Sequence, residues 1–139
     1  MSQAENVALV ERWLASFNDG SWRDRLGEFF APDLVLHNAA APGLPPGPLG
    51  VQLFLDGFLQ GFPDTQLTVH RLVADNDTVA VHFTAAGHQT GDFGGMPATG
   101  RPVALPATAI YRFAGGKIVE DWEVMDRVVI LQQIGMIPA

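Results

Sequence analysis

The chain has 139 residues, 47% of them hydrophobic, and its 15 acidic and 8 basic side chains give a net charge of −7. This length is typical of one domain with its own hydrophobic core, so we expect a single domain over residues 1–139. The negative charge disfavours contact with phosphate backbones and anionic lipid headgroups, so neither nucleic acid nor a membrane surface is an expected partner.

The chain contains no cysteine, which excludes disulfide bonds, thiolate metal ligands and a cysteine nucleophile. Its first residues lack the basic start and apolar run of a signal peptide, and no apolar stretch approaches the roughly 18 residues that span a bilayer. We therefore expect a cytoplasmic location.

Helical spacing of apolar residues dominates the first half of the chain. Ser2 and Glu5 have the spacing of a capping box, and apolar residues then recur every three or four positions as far as Phe17. Helix-capping residues and prolines divide the remainder of this half into shorter segments. The predicted segments are a first helix from Ser2 to Phe17, a second, shorter helix from Ser21 that ends before Pro32, a short strand over 34–37, a loop rich in proline and glycine over 42–48, and a third helix over 49–61.

Strands dominate the second half, where β-branched residues alternate between turn signals. Helices first and strands afterwards are typical of an α+β fold in which the helices cover one face of an antiparallel sheet. The alternating βαβ pattern of a dinucleotide-binding fold is absent. The predicted strands cover residues 67–74, 78–86, 103–113 and 118–124, and Asp126 is predicted to cap a last helix over 127–134.

The last predicted strand carries the most informative polar residues. Because side chains alternate between faces, Val119, Asp121 and Glu123 share one face and are expected to meet Ala109 and Tyr111 across the hairpin. Two carboxylates two residues apart lie about 7 Å from each other, so burial of this face would raise at least one pKa. A solvated face is the alternative interpretation. The opposite face is predicted to carry Ile118, Glu120, Trp122 and Val124.

The four histidines show no spacing typical of a zinc site, so no metal is expected. His82 lies within a predicted strand, and His37 ends the first one. Either could orient a substrate oxygen or a carboxylate, or could be a purely structural residue. Serine chemistry is excluded because no serine stands in a G-x-S-x-G motif.

Six short segments occur in order over nearly the whole chain. They are residues 17–20 (FNDG), 31–33 (APD), 62–64 (FPD), 95–100 (GMPATG), 116–122 (GKIVEDW) and 132–135 (QQIG). In identity and order these segments resemble those of the SnoaL-like polyketide cyclases of the nuclear-transport-factor-like superfamily. The resemblance implies a cone-shaped α+β barrel, with a curved antiparallel sheet wrapped by three N-terminal helices around a deep apolar pocket.

The same resemblance implies an intramolecular aldol condensation without a cofactor. The aspartate that serves those cyclases as general acid/base falls at Glu123, where the carboxylate is kept on a longer side chain. A histidine that assists it falls at Ala109, which cannot take that role, and Asp121 stands where a histidine is often found. The added methylene of Glu123 can displace the base from the position that the ring-closing reaction requires.

From these observations we expect Glu123 to be the general base, with Asp121 and His82 assisting it. The ligand is expected to be a small apolar carbonyl compound, and no cofactor is expected. A homodimer is expected, since Trp122 would suit a sheet-to-sheet interface. The residues expected to bind substrate are His37, Tyr111, Phe54, Phe58 and Trp13.

Two further hypotheses stay open at this stage. One is another enzyme on the same fold, an isomerase or an epoxide hydrolase, whose carboxylates act on a different apolar substrate. The other is a binding protein whose pocket carries no chemistry, because a fold by itself does not determine function.

Overall fold

The computed structural model describes residues 2–39 and 41–139, which form four α-helices, a 3-10 helix and five strands. The helices are α1 (Gln3–Asp19), a 3-10 helix (Ser21–Arg25), α2 (Leu26–Phe29), α3 (Pro48–Gly61) and α4 (Arg127–Gln133). The strands are β1 (Phe30–His37), β2 (Gln66–Asp75), β3 (Thr78–His88), β4 (Pro102–Ala114) and β5 (Lys117–Met125).

The five strands form one sheet in the order β1-β5-β4-β3-β2. The four strands from β2 to β5 pair antiparallel, whereas β1 pairs parallel with β5. The predicted α+β class is therefore confirmed, with one difference: the sheet is mixed and open rather than wholly antiparallel and closed. β1 comes from the helical half of the chain and joins as an edge strand, a position that tolerates Pro32 because its outer side needs no ladder hydrogen bond.

Local signals determine the first helix as predicted. The Glu5 backbone N–H donates to Ser2 Oγ at 3.1 Å and the Ser2 N–H donates to Glu5 Oε1 at 3.3 Å, which completes the capping box. The second helix differs from its prediction. Ser21 does not cap it and instead donates its backbone N–H to Asp19 Oδ1. A 3-10 turn precedes α2, which has only four residues. Strand β1 begins at Phe30, four residues before the predicted strand.

A β-bulge in β5 changes which face its first residues occupy. Phe113 pairs with Ile118 and Arg112 pairs with Glu120, so Val119 has no partner of its own on β4. The extra residue shifts the alternation by one position. Ile118 is consequently buried in the core on the same side as Asp121, and the prediction that Ile118 shares a face with Glu120 is wrong.

The core lies between the inner face of the sheet and helices α1 and α2. Trp13 of α1 anchors it with its ring edge-on to Phe30, the two centroids being 4.8 Å apart. A second cluster packs α4 on the sheet through Ile130 and Ile134. Within the described residues, no helix combines the length and the apolar character needed to cross a membrane.

Helix α3 begins at a point where only glycine fits. Gly47 has φ +82° and ψ −172°, and a Cβ at this position would lie 2.4 Å from the carbonyl oxygen of Pro32 in β1. This close approach positions the start of α3 against β1, and α3 in turn carries the side chains that line the interior.

Replacing Gly47 by alanine is expected to destabilise the fold by roughly 3 kcal/mol or more, because a backbone conformation nearly exclusive to glycine is combined with a clash against backbone. Gly20→Ala is the matched control, since Gly20 has φ +83° but nothing within 4 Å of an added Cβ. That variant is expected to cost only about 1 kcal/mol. Urea unfolding of both variants measures the difference, and equal costs would contradict the close approach.

Candidate active site

Asp121 and Glu123 lie side by side on the inner face of β5. In the pairing with β4, Asp121 stands opposite Tyr111 and Glu123 stands opposite Ala109, as the alternation predicts. The neighbouring strands on both sides hold β5 in place, because β5 lies between β1 and β4. The two carboxyl groups are therefore presented by a paired strand rather than by a mobile loop.

Burial dominates the electrostatics of this carboxylate pair. Asp121 is only 2% exposed, and within the described residues its Oδ1 has no hydrogen-bond partner. Burial, and secondarily the charge of Glu123, raises the pKa of Asp121 well above its usual range. Glu123 is half-buried, and burial raises its pKa to about 7. At neutral pH the pair therefore holds protons that exposed carboxyl groups would have released.

Tyr111 is the polar neighbour of this pair on β4. The side chain is 1% exposed, and burial followed by the charges of Asp121 and Glu123 raises its pKa well above 10. The indole of Trp13, which can only donate, acts on the hydroxyl in the opposite sense. Tyr111 therefore stays a neutral phenol that can donate a hydrogen bond.

An inner cavity of about 50 Å³ adjoins these residues. Its walls come from α1, α3 and the inner face of the sheet, and Glu123 is the one charged residue among those that line it. Four of the five predicted substrate-binding residues meet here, namely Trp13, Phe54, Phe58 and Tyr111. The other lining residues are Leu14, Phe17, Leu55, Thr65, Leu67, Phe83, Ala85 and Met125.

A larger cavity of about 350 Å³ lies next to the inner one. The two share Phe54, Phe58 and Met125 as lining residues, so these three side chains form the wall between them. The inner cavity alone would hold only one or two small groups. A bicyclic molecule reaching Glu123 would therefore have to occupy both cavities and displace part of this wall.

The two histidines predicted to act in the site line neither the inner cavity nor its larger neighbour. His82 is exposed on the outer face of the sheet, because its even-numbered position in β3 points away from Val81 and Phe83. His37 is also exposed, and its Nε2 lies 2.7 Å from Glu120 Oε2. The structure thus places His82 away from the pair Asp121 and Glu123, whereas His37 and Glu123 both line a further, more open cavity of about 470 Å³.

His37 also belongs to a polar network with Glu120 and Arg112. Its ring stacks on Trp122 with centroids 5.3 Å apart, and Arg112 Nη2 lies 3.1 Å from Glu120 Oε1. The hydrogen bond from His37, and then the Arg112 contact, lower the pKa of Glu120. Glu120 and Glu123 on one strand therefore have pKa shifts of opposite direction, because they occupy opposite faces.

Two of the lining residues that were not predicted from the sequence lie at or just beyond the end of β5. Met125 lies two positions after Glu123, so the alternation that selected Glu123 also points to it. Arg127 comes after the strand, at the start of α4, and lines the larger cavity, and no sequence signal indicated that position. Among residues 2–39 and 41–139, no three His, Cys, Asp or Glu side chains group closely enough to hold a metal ion.

A family model for the SnoaL-like polyketide cyclases matches residues 7–134 of this chain. The chain belongs to that family. The match includes every strand and every helix, apart from the first turn of α1. The resemblance drawn from the six sequence segments is therefore confirmed, and the inward carboxylates lie in the part of the chain that the family model covers.

Solved structures of similar chain length superpose on this chain over almost its full length. AclR from Streptomyces galilaeus, a proposed hydroxylase, is 29% identical, with 99% of this chain and 100% of that chain covered and a TM-score of 0.86. TsrD from Streptomyces laurentii is 26% identical, with 99% of each chain covered and a TM-score of 0.86. IdmH from Streptomyces antibioticus, a proposed polyketide cyclase, is 31% identical, with 94% of this chain and 98% of that chain covered and a TM-score of 0.80. No curated protein matches the chain.

The raised pKa of Glu123 predicts a pH-dependent stability. A carboxyl group with a folded-state pKa of about 7 and an unfolded value near 4.5 destabilises the fold progressively as the pH rises through that interval. Glu123→Gln removes this ionisation. We therefore expect the free energy of unfolding of the variant, relative to that of the parent protein, to rise by up to about 3 kcal/mol between pH 4.5 and pH 8. Urea unfolding at the two pH values measures this gain.

Glu120→Gln is the matched control on the same strand. Because the pKa of Glu120 is lowered, its contribution is fully present above about pH 4.5 and is lost only in stronger acid. This variant is expected to be less stable than the parent protein at both pH values, because it loses the ionised partner of His37 and Arg112. A pH-independent effect of Glu123→Gln would contradict the burial of its carboxylate.

Proposed function

We propose that the protein catalyses general acid/base chemistry on a small apolar carbonyl compound, in the manner of a polyketide cyclase. The observation that carries this proposal is the inward, half-buried Glu123 with a pKa near 7, bordered by the buried Asp121 and apolar walls. A base whose pKa lies near the working pH is suited to both taking and returning a proton.

The proposed reaction is an intramolecular aldol condensation. The Glu123 carboxylate removes a proton from a carbon α to a carbonyl, and the electron pair of that C–H bond forms an enolate. The enolate carbon attacks a second carbonyl carbon of the same molecule and forms the new C–C bond. The oxygen of the attacked carbonyl then takes the proton from Glu123, so the base is restored and no oxidant or reductant is consumed.

Tyr111 and Asp121 have different parts in this proposal. Tyr111 lines the inner cavity with Glu123 and remains a neutral donor, so its hydroxyl can stabilise the enolate oxygen. Asp121 is not among the residues that line the cavity, and its effect is electrostatic. Its protonation removes a negative charge beside Glu123, and its ionisation would restore the repulsion that burial makes costly.

The comparisons support the proposal at the level of the family. The matching family is described by polyketide cyclisation, and IdmH, at 31% identity, is a proposed polyketide cyclase. The apolar lining of both cavities supports a substrate with an apolar body, because such walls offer few hydrogen bonds to a polar one.

The proton abstraction can be tested without the natural substrate. 2-Tetralone, a bicyclic ketone, is incubated with the protein in D2O, and the loss of its α-proton signals is followed by proton NMR. We expect exchange above the buffer rate that rises with pH through about 7, because the ionised Glu123 is the base. Glu123→Gln is expected to lower the enzymatic rate at least 100-fold, since a positioned base contributes on the order of 10² to 10⁴.

Glu120→Gln serves again as the control, because it makes the same chemical change on the outer face of the same strand. Its exchange rate is expected to equal that of the parent protein. Exchange retained in Glu123→Gln would contradict the assignment of the base. Binding of 2-tetralone without exchange in the parent protein would favour the non-catalytic hypothesis.

We also propose that the protein is a homodimer through the outer face of the sheet. Ile110 and Val124 are exposed on this face, with the half-buried Trp122 between them in the pairing of β4 and β5. Size-exclusion chromatography with light scattering is expected to give twice the 15.0 kDa chain mass. Ile110→Glu, which places a charge in the middle of the face, is expected to shift the protein to a monomer. A monomeric parent protein would contradict the proposal.

A further inference from the structure

The larger cavity has apolar walls and one charged residue. Aromatic and aliphatic side chains from α3, α4 and the chain segments beside them form most of its surface. Gln60 and Arg127 contribute the polar side chains, and Arg127 is the one that carries a charge. Its position at the first residue of α4 puts it beyond the end of β5.

The Arg127 guanidinium has no protein partner among the described residues. Four other arginines, Arg12, Arg23, Arg25 and Arg112, form ion pairs with carboxylates, whereas no carboxylate of residues 2–39 or 41–139 lies within ion-pair distance of Arg127. Arg71 and Arg101 are also unpaired, but neither lines the cavities. Arg127 thus combines an available cation with a position at the cavity.

The loop between β3 and β4 forms the surface beside this guanidinium. A Cβ added to Gly94 would lie 3.6 Å from Arg127 Nη2, so the two residues are neighbours. The loop is held in place by the fully buried Gln89, whose Nε2 donates to the Pro97 carbonyl at 3.2 Å and whose Oε1 accepts from Thr99 Oγ1 at 2.7 Å. Arg127 is therefore bordered by an anchored segment that leaves its donors open.

Glu123 lines the inner cavity and Arg127 lines the larger cavity next to it. They are four positions apart along the chain, so their Cα atoms are at most about 14 Å apart. Phe54, Phe58 and Met125 line both cavities between them. One molecule of two or three fused rings has the length to place its reacting carbon at Glu123 and a substituent at Arg127.

We propose that Arg127 binds a carboxylate of the substrate, so that the substrate class is an apolar carbonyl compound with an acid group at the end remote from the reacting carbon. The guanidinium presents paired donors that match the two oxygens of a carboxylate. Its exposure lets the acid group stay partly hydrated, which avoids the cost of a buried charge. A chain of net charge −7 repels anions in general, and Arg127 offsets this repulsion at the cavity.

This inference rests on the proposed function for the reacting end of the substrate, but its test uses binding alone. The probes are 2-naphthylacetate and 2-naphthylacetamide, which share their shape and differ in charge, and their affinities are measured by isothermal titration calorimetry. We expect the parent protein to bind the carboxylate roughly tenfold more tightly than the amide, the size of one charge-assisted contact at an exposed site. Arg127→Gln is expected to remove this preference, and Arg127→Lys to restore part of it.

Arg71→Gln is the matched control, because it changes the net charge by the same amount on the outer face of β2. It is expected to keep the tenfold preference. Equal affinities of the parent protein for the two probes, an unchanged preference in Arg127→Gln, or no saturable binding of the carboxylate would each overturn the proposal. Because this readout is binding and not proton exchange, a failure of the catalytic assignment leaves the result distinguishable.

Discussion

The burial of two neighbouring carboxyl groups on one strand is the constraint on which the rest of this structure depends. Asp121 and Glu123 lie about 7 Å apart on an apolar interior face, where water does not screen their repulsion. The interior therefore retains protons at neutral pH, and burial likewise keeps the phenol of Tyr111 neutral. Such a site keeps groups that can take up and release protons near neutral pH, at a cost in folding stability, as active sites commonly do.

The elements around this pair are packed unequally, with the sheet and α1 more tightly packed than α3. β5 is paired on both edges, and α1 packs its aromatic side chains against the inner face of the sheet. Helix α3 is attached more loosely, because Gly50, Val51 and Gly61 are its only fully buried residues. The side chains of α3 that separate the two cavities therefore lie on an element with few buried residues, where displacement by a ligand costs less than in the core.

The two faces of β5 illustrate how position decides the chemistry of identical groups. Glu120 on the outer face contacts His37 and Arg112 and has a lowered pKa, whereas Glu123 three residues later has a raised one. Arg127, at the far end of the same segment, carries an unpaired cation at the cavity. A short stretch of chain thus supplies both proposed contacts of a substrate, the base at one end and the anchor at the other.

Local signals in the sequence determined the capping box of α1, the extent of α3, the antiparallel strands and the inward pairing of Asp121 and Glu123 with Tyr111 and Ala109, because each depends on neighbours in the chain or on simple alternation. Only the tertiary structure decided that β1 runs parallel to β5, that a bulge at Val119 turns Ile118 inward, and that His82 lies on the outer face of the sheet. These features depend on which strands meet and on which face the helices cover. Long-range packing sets both, so no spacing within the chain could reveal them or the position of Arg127.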